Sequence, residues 1–152
     1  MKNWKLLSFA IVLAMVSLSC SLTSHASSAG ESGLVPKSSG LIDSVTIAKT
    51  TQGTNLDPVN ITKVFSVDDI FHAVVHIVNA PSNSVFEAIW YTVDVGSADN
   101  NDSMIDSSTE TSDGTRNLDF TLTPVESWLT GTYQVEIYVN GNLDQFVNFS
   151  VK

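Results

Sequence analysis

Two histidines, a run of acidic residues and a few aromatic rings are the side chains of this sequence best equipped for chemistry. His72 and His76 stand four residues apart, the spacing at which two imidazoles share one zinc ion on a helix. Their segment, "DIFHAVVHIVN" (69–79), is apolar on both faces and rich in β-branched residues, so it reads as a buried strand. On a strand, i and i+4 share a face but stand ~13 Å apart, too far to hold one ion together. The acidic run "GSADNNDSMIDSSTETSDG" (96–114) carries Asp99, Asp102, Asp106 and Glu110, whose hard oxygens suit calcium. Set against a helix–loop–helix calcium loop, it places Met104 where a glycine is required and Asp106 where an apolar residue is required. A solvated acidic loop is the plain reading of this run, and an irregular calcium site is the functional one. No other cofactor is expected.

Nucleophilic catalysis finds no support in local sequence. No serine occupies a Gly-x-Ser-x-Gly elbow, no glycine-rich phosphate loop occurs, and the single cysteine, Cys20, precedes the folded region. The expectation is a protein that is not an enzyme. Trp128 and Tyr138 are the candidate ligand-binding aromatics. Tyr138 lies on the opposite parity to Val135, Ile137 and Val139, and Trp128 stands in the corner "VESW" (125–128) between two strands. Trp90 and Tyr91 are neighbours on one strand, so one faces in and the other out. Parity alone favours Tyr91 as the inner residue.

These side chains need elements to position them. Residues 1–18 combine Lys2 and Lys5 with an apolar stretch too short for a transmembrane helix of about 20 residues, the pattern of an export signal. Ser24-His25-Ala26 offers cleavage before Ser27. "SLSC" (17–20) resembles a lipobox that would place a lipid on Cys20, with the leader then ending at residue 19. Residues 27–40 are rich in Ser and Gly and form a flexible linker, and the folded domain spans 41–152. No apolar run in the mature chain is long enough to span a membrane. Seven Lys and Arg face sixteen Asp and Glu, net −9, and loss of the leader removes two of the seven. So acidic a surface repels phosphate backbones, which excludes nucleic acid as an expected partner.

From residue 41 the apolar spacing stays near two, with turn residues between the runs, and no amphipathic helix is predicted. Strands are predicted over 41–50, 60–66, 69–79, 85–95, 115–124, 131–140 and 143–152. Turns are predicted at 80–84 and at Asn140-Gly141, a two-residue hairpin signal. The fold class is all-β, an antiparallel sandwich of about seven strands.

Trp90 in mid-chain, Trp128, Gly131-Thr132-Tyr133 opening the penultimate strand, the Asn140-Gly141 hairpin and the closing Phe149 and Val151 together resemble the immunoglobulin-like or fibronectin-III-like domains of bacterial exported proteins. The resemblance implies a sandwich in which Trp90 fills the core and the Tyr133 hydroxyl bonds back to the preceding corner. Joined to the leader, it implies a non-catalytic exported interaction or structural module at the bacterial cell envelope. Its partner would be an envelope protein or a surface glycan. The alternative on the same fold is a glycan-binding module using Trp128 and Tyr138, or a calcium-binding one using the acidic run. The expected location is extracytoplasmic, secreted or lipid-anchored.

Overall fold

The computed structural model describes residues 35–152; the leader, Cys20 and most of the linker lie outside the described residues. Seven strands follow one another: β1 (Ile42–Gln52), β2 (Asp57–Ile61), β3 (Val64–Phe65), β4 (Phe71–Asp94), β5 (Met104–Leu122), β6 (Gly131–Val139) and β7 (Asn142–Val151). They hydrogen-bond in the order β2-β1-β4-β6-β7-β3, with β5 alongside β4. Neighbours are antiparallel, except that β3 runs parallel to β7 through Val64↔Ser150 and Phe65↔Val151. Among the described residues no helix is long and apolar enough to cross a membrane.

The expected antiparallel immunoglobulin-like sandwich is corrected here to an all-β, mixed, strongly curled sheet. The difference comes from β4 and β5. The sequence predicts a turn over 80–84 and a polar loop over 96–114, yet β4 continues through the first and β5 occupies residues 104–114 of the second. In β4 the bend is absorbed within the strand. Asn79 (φ 50°) and Asn83 (φ 64°) adopt left-handed backbone, which asparagine tolerates better than most residues. Register shifts separate Ile77, Ala80 and Ser84. In β5, Ser107, Ser108, Thr109 and Thr111 are exposed along a sheet edge, where a strand needs no apolar face.

The bend also switches parity. Before it, Phe71, Ala73, Val75 and Ile77 point inward; after it, Phe86, Ala88 and Trp90 do. An uninterrupted alternation would have turned the second set outward. The switch lets one ribbon, β4 with β5, supply both halves of the curled sheet with inward apolar side chains. It also places Trp90 in the core at 1 % exposure, with Tyr91 on the outer face, against the parity argument.

One apolar cluster joins both halves. Phe71 is its hub: its ring meets Phe65, Trp90, Trp128, Tyr133 and Phe149 at centroid distances between 4.7 and 6.3 Å. Tyr133 is buried, and its hydroxyl donates to the Leu129 carbonyl at 2.7 Å, which closes the corner ahead of β6. Asn140 (φ 50°) and Gly141 (φ 79°) form the expected tight turn between β6 and β7.

Gly131 opens β6 against the end of β4. A Cβ there would lie 2.1 Å from the Asp94 carbonyl oxygen and 2.7 Å from Val95 Cα, so two backbones approach where only glycine fits. Gly131→Ala is expected to cost about 1–3 kcal/mol, the usual range for overpacking. Thermal unfolding of the variant should show a midpoint several degrees lower. An unchanged midpoint would mean the two backbones are not this close.

Candidate binding site at the Trp128 corner

The sequence-predicted candidates fall in three separate places. Asp99 and Asp102 lie in the turn between β4 and β5, while Asp106 and Glu110 stand on β5 opposite Trp90 and Phe86. Four residues along a strand separate the latter two by ~13 Å. The turn satisfies itself. Asn101 Oδ1 accepts the Val95 N–H at 2.8 Å, Asp94 Oδ1 accepts the Gly96 N–H at 3.1 Å, and the Thr92 hydroxyl bonds the Asn100 carbonyl. Among the described residues no group of three or more His, Cys, Asp or Glu gathers to hold a metal ion. The expected calcium set of Asp99, Asp102, Asp106 and Glu110 is therefore not brought together.

The histidines sit on the outer face of the first half of β4. The His72 Nδ1 donates to the Asp119 carboxylate at 2.9 Å, and Asp119 also accepts the Thr51 hydroxyl at 3.1 Å. The Asn117 amide nitrogen donates to the Asn55 carbonyl at 3.0 Å, which turns its oxygen toward His76. The His76 Nδ1 donates to that oxygen at 2.8 Å. Each imidazole thus has its own anchor on β5, and the pair behaves as two cross-strand links.

Tyr138 is half-buried on the outer face of β6, less exposed than its parity suggests, and its hydroxyl donates to Glu136 Oε2 at 2.8 Å. Burial, then the bond to Glu136, pushes its hydroxyl pKa well up; burial followed by the charges of Glu136 and Glu87 does the same for Tyr91. Burial also raises Tyr133.

Trp128 has the richest surroundings of the candidates. Its indole N–H donates to the Asp69 carbonyl at 2.8 Å and its backbone N–H to the Val67 carbonyl at 2.7 Å. The Ser127 hydroxyl donates to Asp68 at 2.7 Å. Asp69 in turn accepts Lys49 at 2.6 Å, and this bond, followed by the Ser66 backbone N–H, holds its carboxyl below the usual range. One face of the indole stacks on Phe71 at 4.7 Å. The corner is thus clamped onto the 66–70 turn.

Two hollows adjoin this ring. The larger, about 490 Å³, is walled by Ile105, Leu122, Val125 and Trp128, with Asp106 and Glu126 as its charged members. The smaller, about 280 Å³, lies between Met104, Leu129, Tyr133 and the same Ile105 and Trp128. Three of these apolar side chains stand in water: Val125 at 100 % exposure, Met104 at 61 % and Leu129 at 47 %. Sequence reasoning singled out Trp128 but missed its company. The available signals were Met104-Ile105, an apolar pair stranded in a polar run, and Val125 and Leu129 bracketing the tryptophan in a turn.

No family model matches the chain, and no curated protein matches it. Among solved structures, the alkylpurine DNA glycosylase AlkC of Pseudomonas fluorescens, bound to DNA containing an abasic site analog, is similar at 11 % identity and a TM-score of 0.42. The match covers 71 % of this chain and 30 % of that one, so the chain spans less than a third of that protein. The mixed, strongly curled sheet corrects the immunoglobulin-like and fibronectin-III-like assignment. With it go the cell-envelope module, its glycan- or calcium-binding alternative, and the envelope protein or surface glycan as partner; the exclusion of nucleic acid drawn from charge is withdrawn as well. The likeness concerns the path of the backbone and brings no substrate to this chain.

The three tyrosines of the chain are Tyr91, Tyr133 and Tyr138, and all have raised hydroxyl pKa values. Above pH ~10 an unfolded chain releases tyrosyl protons that the folded chain still holds. The unfolded state then binds fewer protons, so stability is intact below that pH and falls as pH rises further. In an alkaline titration, tyrosinate absorbance should stay low past pH ~10 and then rise together with loss of the far-ultraviolet β signal. A tyrosine that ionises at its ordinary value in the folded protein would contradict the burial described here.

Proposed function

We propose that this chain is a non-catalytic binding domain that holds an apolar group of its ligand at the Trp128 corner. One observation carries the reading. Val125, Met104 and Leu129 are exposed beside Trp128 and Ile105 around two adjoining hollows, on a corner clamped by hydrogen bonds. Exposed apolar side chains are ordinary when scattered and informative when gathered. Covering them would gain roughly 25 cal/mol for each Å² of apolar surface removed from water. The clamp matters as much as the area, because a wall already held in place loses little conformational freedom on binding. Tryptophan at the centre of such a patch provides a large flat contact with few rotatable bonds.

The absence of catalysis is part of the proposal. The charged side chains of the larger hollow are the exposed carboxylates Asp106 and Glu126, and the two histidines are engaged with Asp119 and Asn117. The arrangement suits retention of a ligand more than proton transfer to it.

The neutral apolar dye Nile red tests the reading. Its fluorescence should rise on binding the wild-type protein, and Val125→Asp should weaken that binding by about tenfold, the equivalent of ~1.4 kcal/mol. Because Val125 is wholly exposed, the variant should melt within about 1 °C of the wild type, as surface substitutions do. Equal binding by the variant would show that the dye, and any apolar ligand it mimics, lies elsewhere.

A further inference from the structure

β5 is a sheet edge over its whole length. Among the described residues it pairs only with β4, first with the second half of that strand and then, past the bend, with the first half. Its outer row of backbone N–H and C=O groups therefore has no strand partner; the Ser107 N–H is taken by Asp106 Oδ1 at 2.8 Å, a bond that an incoming strand would replace. The edge begins at Met104, Ile105 and Asp106, which are also walls of the Trp128 hollows. An apolar pocket and an unpaired edge thus meet at one place, the combination by which sheets accept extended peptides: main-chain bonds along the edge and a side chain in the pocket.

The charge at this edge selects the occupant. Asp106, Glu110 and Asp113 follow one another along β5, and Glu126 lines the larger hollow together with Ile105. Arg116 is the one cation on β5, and its guanidinium already donates to Asp113 at 3.0 Å. Acidic side chains along an open edge discourage pairing with another copy of the same strand. The whole chain, at net −9, repels its own copy further. The same carboxylates attract a strand of opposite charge.

We infer that the partner is a protein segment in extended conformation that carries lysine or arginine around an apolar residue, pairs with the outer edge of β5 and places the apolar side chain against Trp128. The inference rests on the corner reading above and adds the partner's chemistry and its mode of docking. Binding joins the segment's N–H and C=O groups to those of β5, sets its cations opposite Asp106, Glu110 and Glu126, and covers Val125.

The probe is the peptide acetyl-Lys-Thr-Phe-Thr-Lys-Thr-amide, whose alternation puts both lysines and the phenylalanine on one face, as Asp106, Glu110 and Trp128 require, with a control in which glutamate replaces both lysines. Both are titrated into the full-length protein and followed by the Trp128 indole and β5 amide signals in ¹⁵N NMR. The basic peptide is expected to move the Trp128 indole and the amides of residues 104–110, and the glutamate version to bind about tenfold more weakly or less. The double variant Asp106→Asn, Glu126→Gln should narrow that difference, with its melting temperature unchanged, since both side chains are exposed. Equal binding of the two peptides overturns the inference and leaves the corner reading standing. So does binding of Nile red with no binding of either peptide. A basic peptide that binds without moving Trp128 or the β5 amides reports general attraction to an acidic protein and also overturns the inference. Failure of the dye and both peptides together removes the corner reading itself.

Discussion

The packing of Phe71 is the contact on which the rest of this structure depends. Its ring is fully buried at the start of β4 and touches aromatic rings from β3, from the far half of β4, from the 125–129 corner, from β6 and from β7. A curled sheet has two inward faces that must find each other, and this cluster is where they meet. Each aromatic pair adds about 0.5–1.5 kcal/mol beyond simple burial, so five partners on one ring make an unusually concentrated contribution. Phe65 brings in β3 and with it the one parallel pairing, to β7. A two-residue strand could not hold that position by main-chain bonds alone, and the buried ring holds it.

The same ring determines how much of Trp128 is left for anything else. Phe71 takes one face of the indole, and the Asp69 and Val67 carbonyls take its two N–H donors. The 66–70 turn that supplies those carbonyls is fixed by Lys49 and Ser66 acting on the Asp69 carboxylate. What remains of Trp128 is apolar, positioned and in contact with open hollows. The corner is therefore an outgrowth of the core, held in place by its contact with the aromatic hub.

Long strands change what an edge means. Had the ribbon of β4 and β5 broken at residues 80–84, each half of the sheet would end in a short strand, which is the usual way of blunting an edge. Because both strands run through the bend, β5 presents 19 residues of continuous edge. The carboxylates of Asp106 and Glu110 guard its first part by charge, and register shifts bend it further along, where Asp113 is paired with Arg116. Charge protection discriminates by sign, whereas short strands or prolines exclude every partner alike. The acidity that reads in the sequence as a general surface property thus has a particular place in the fold.

Much of the architecture is local and was legible in the chain. Period-two patterning determined the strand class, and Asn140-Gly141 determined the last hairpin because both residues must take positive φ. These features depend on a few consecutive residues and on backbone geometry those residues alone permit. Three things did not depend on neighbours in sequence and were decided only by tertiary structure. The bend at Asn79 and Asn83 reversed the parity of β4, so that Trp90 and not Tyr91 entered the core. The Ser- and Thr-rich run before Gly114 became strand because β4 offered it an edge, which no apolar pattern could announce. Val125, Leu129 and the Met104-Ile105 pair became one surface because the core drew Trp128 between them. Periodicity records which residues share a face of one strand. It carries no information about which faces meet, and the meeting of faces is what made both the core and the candidate site.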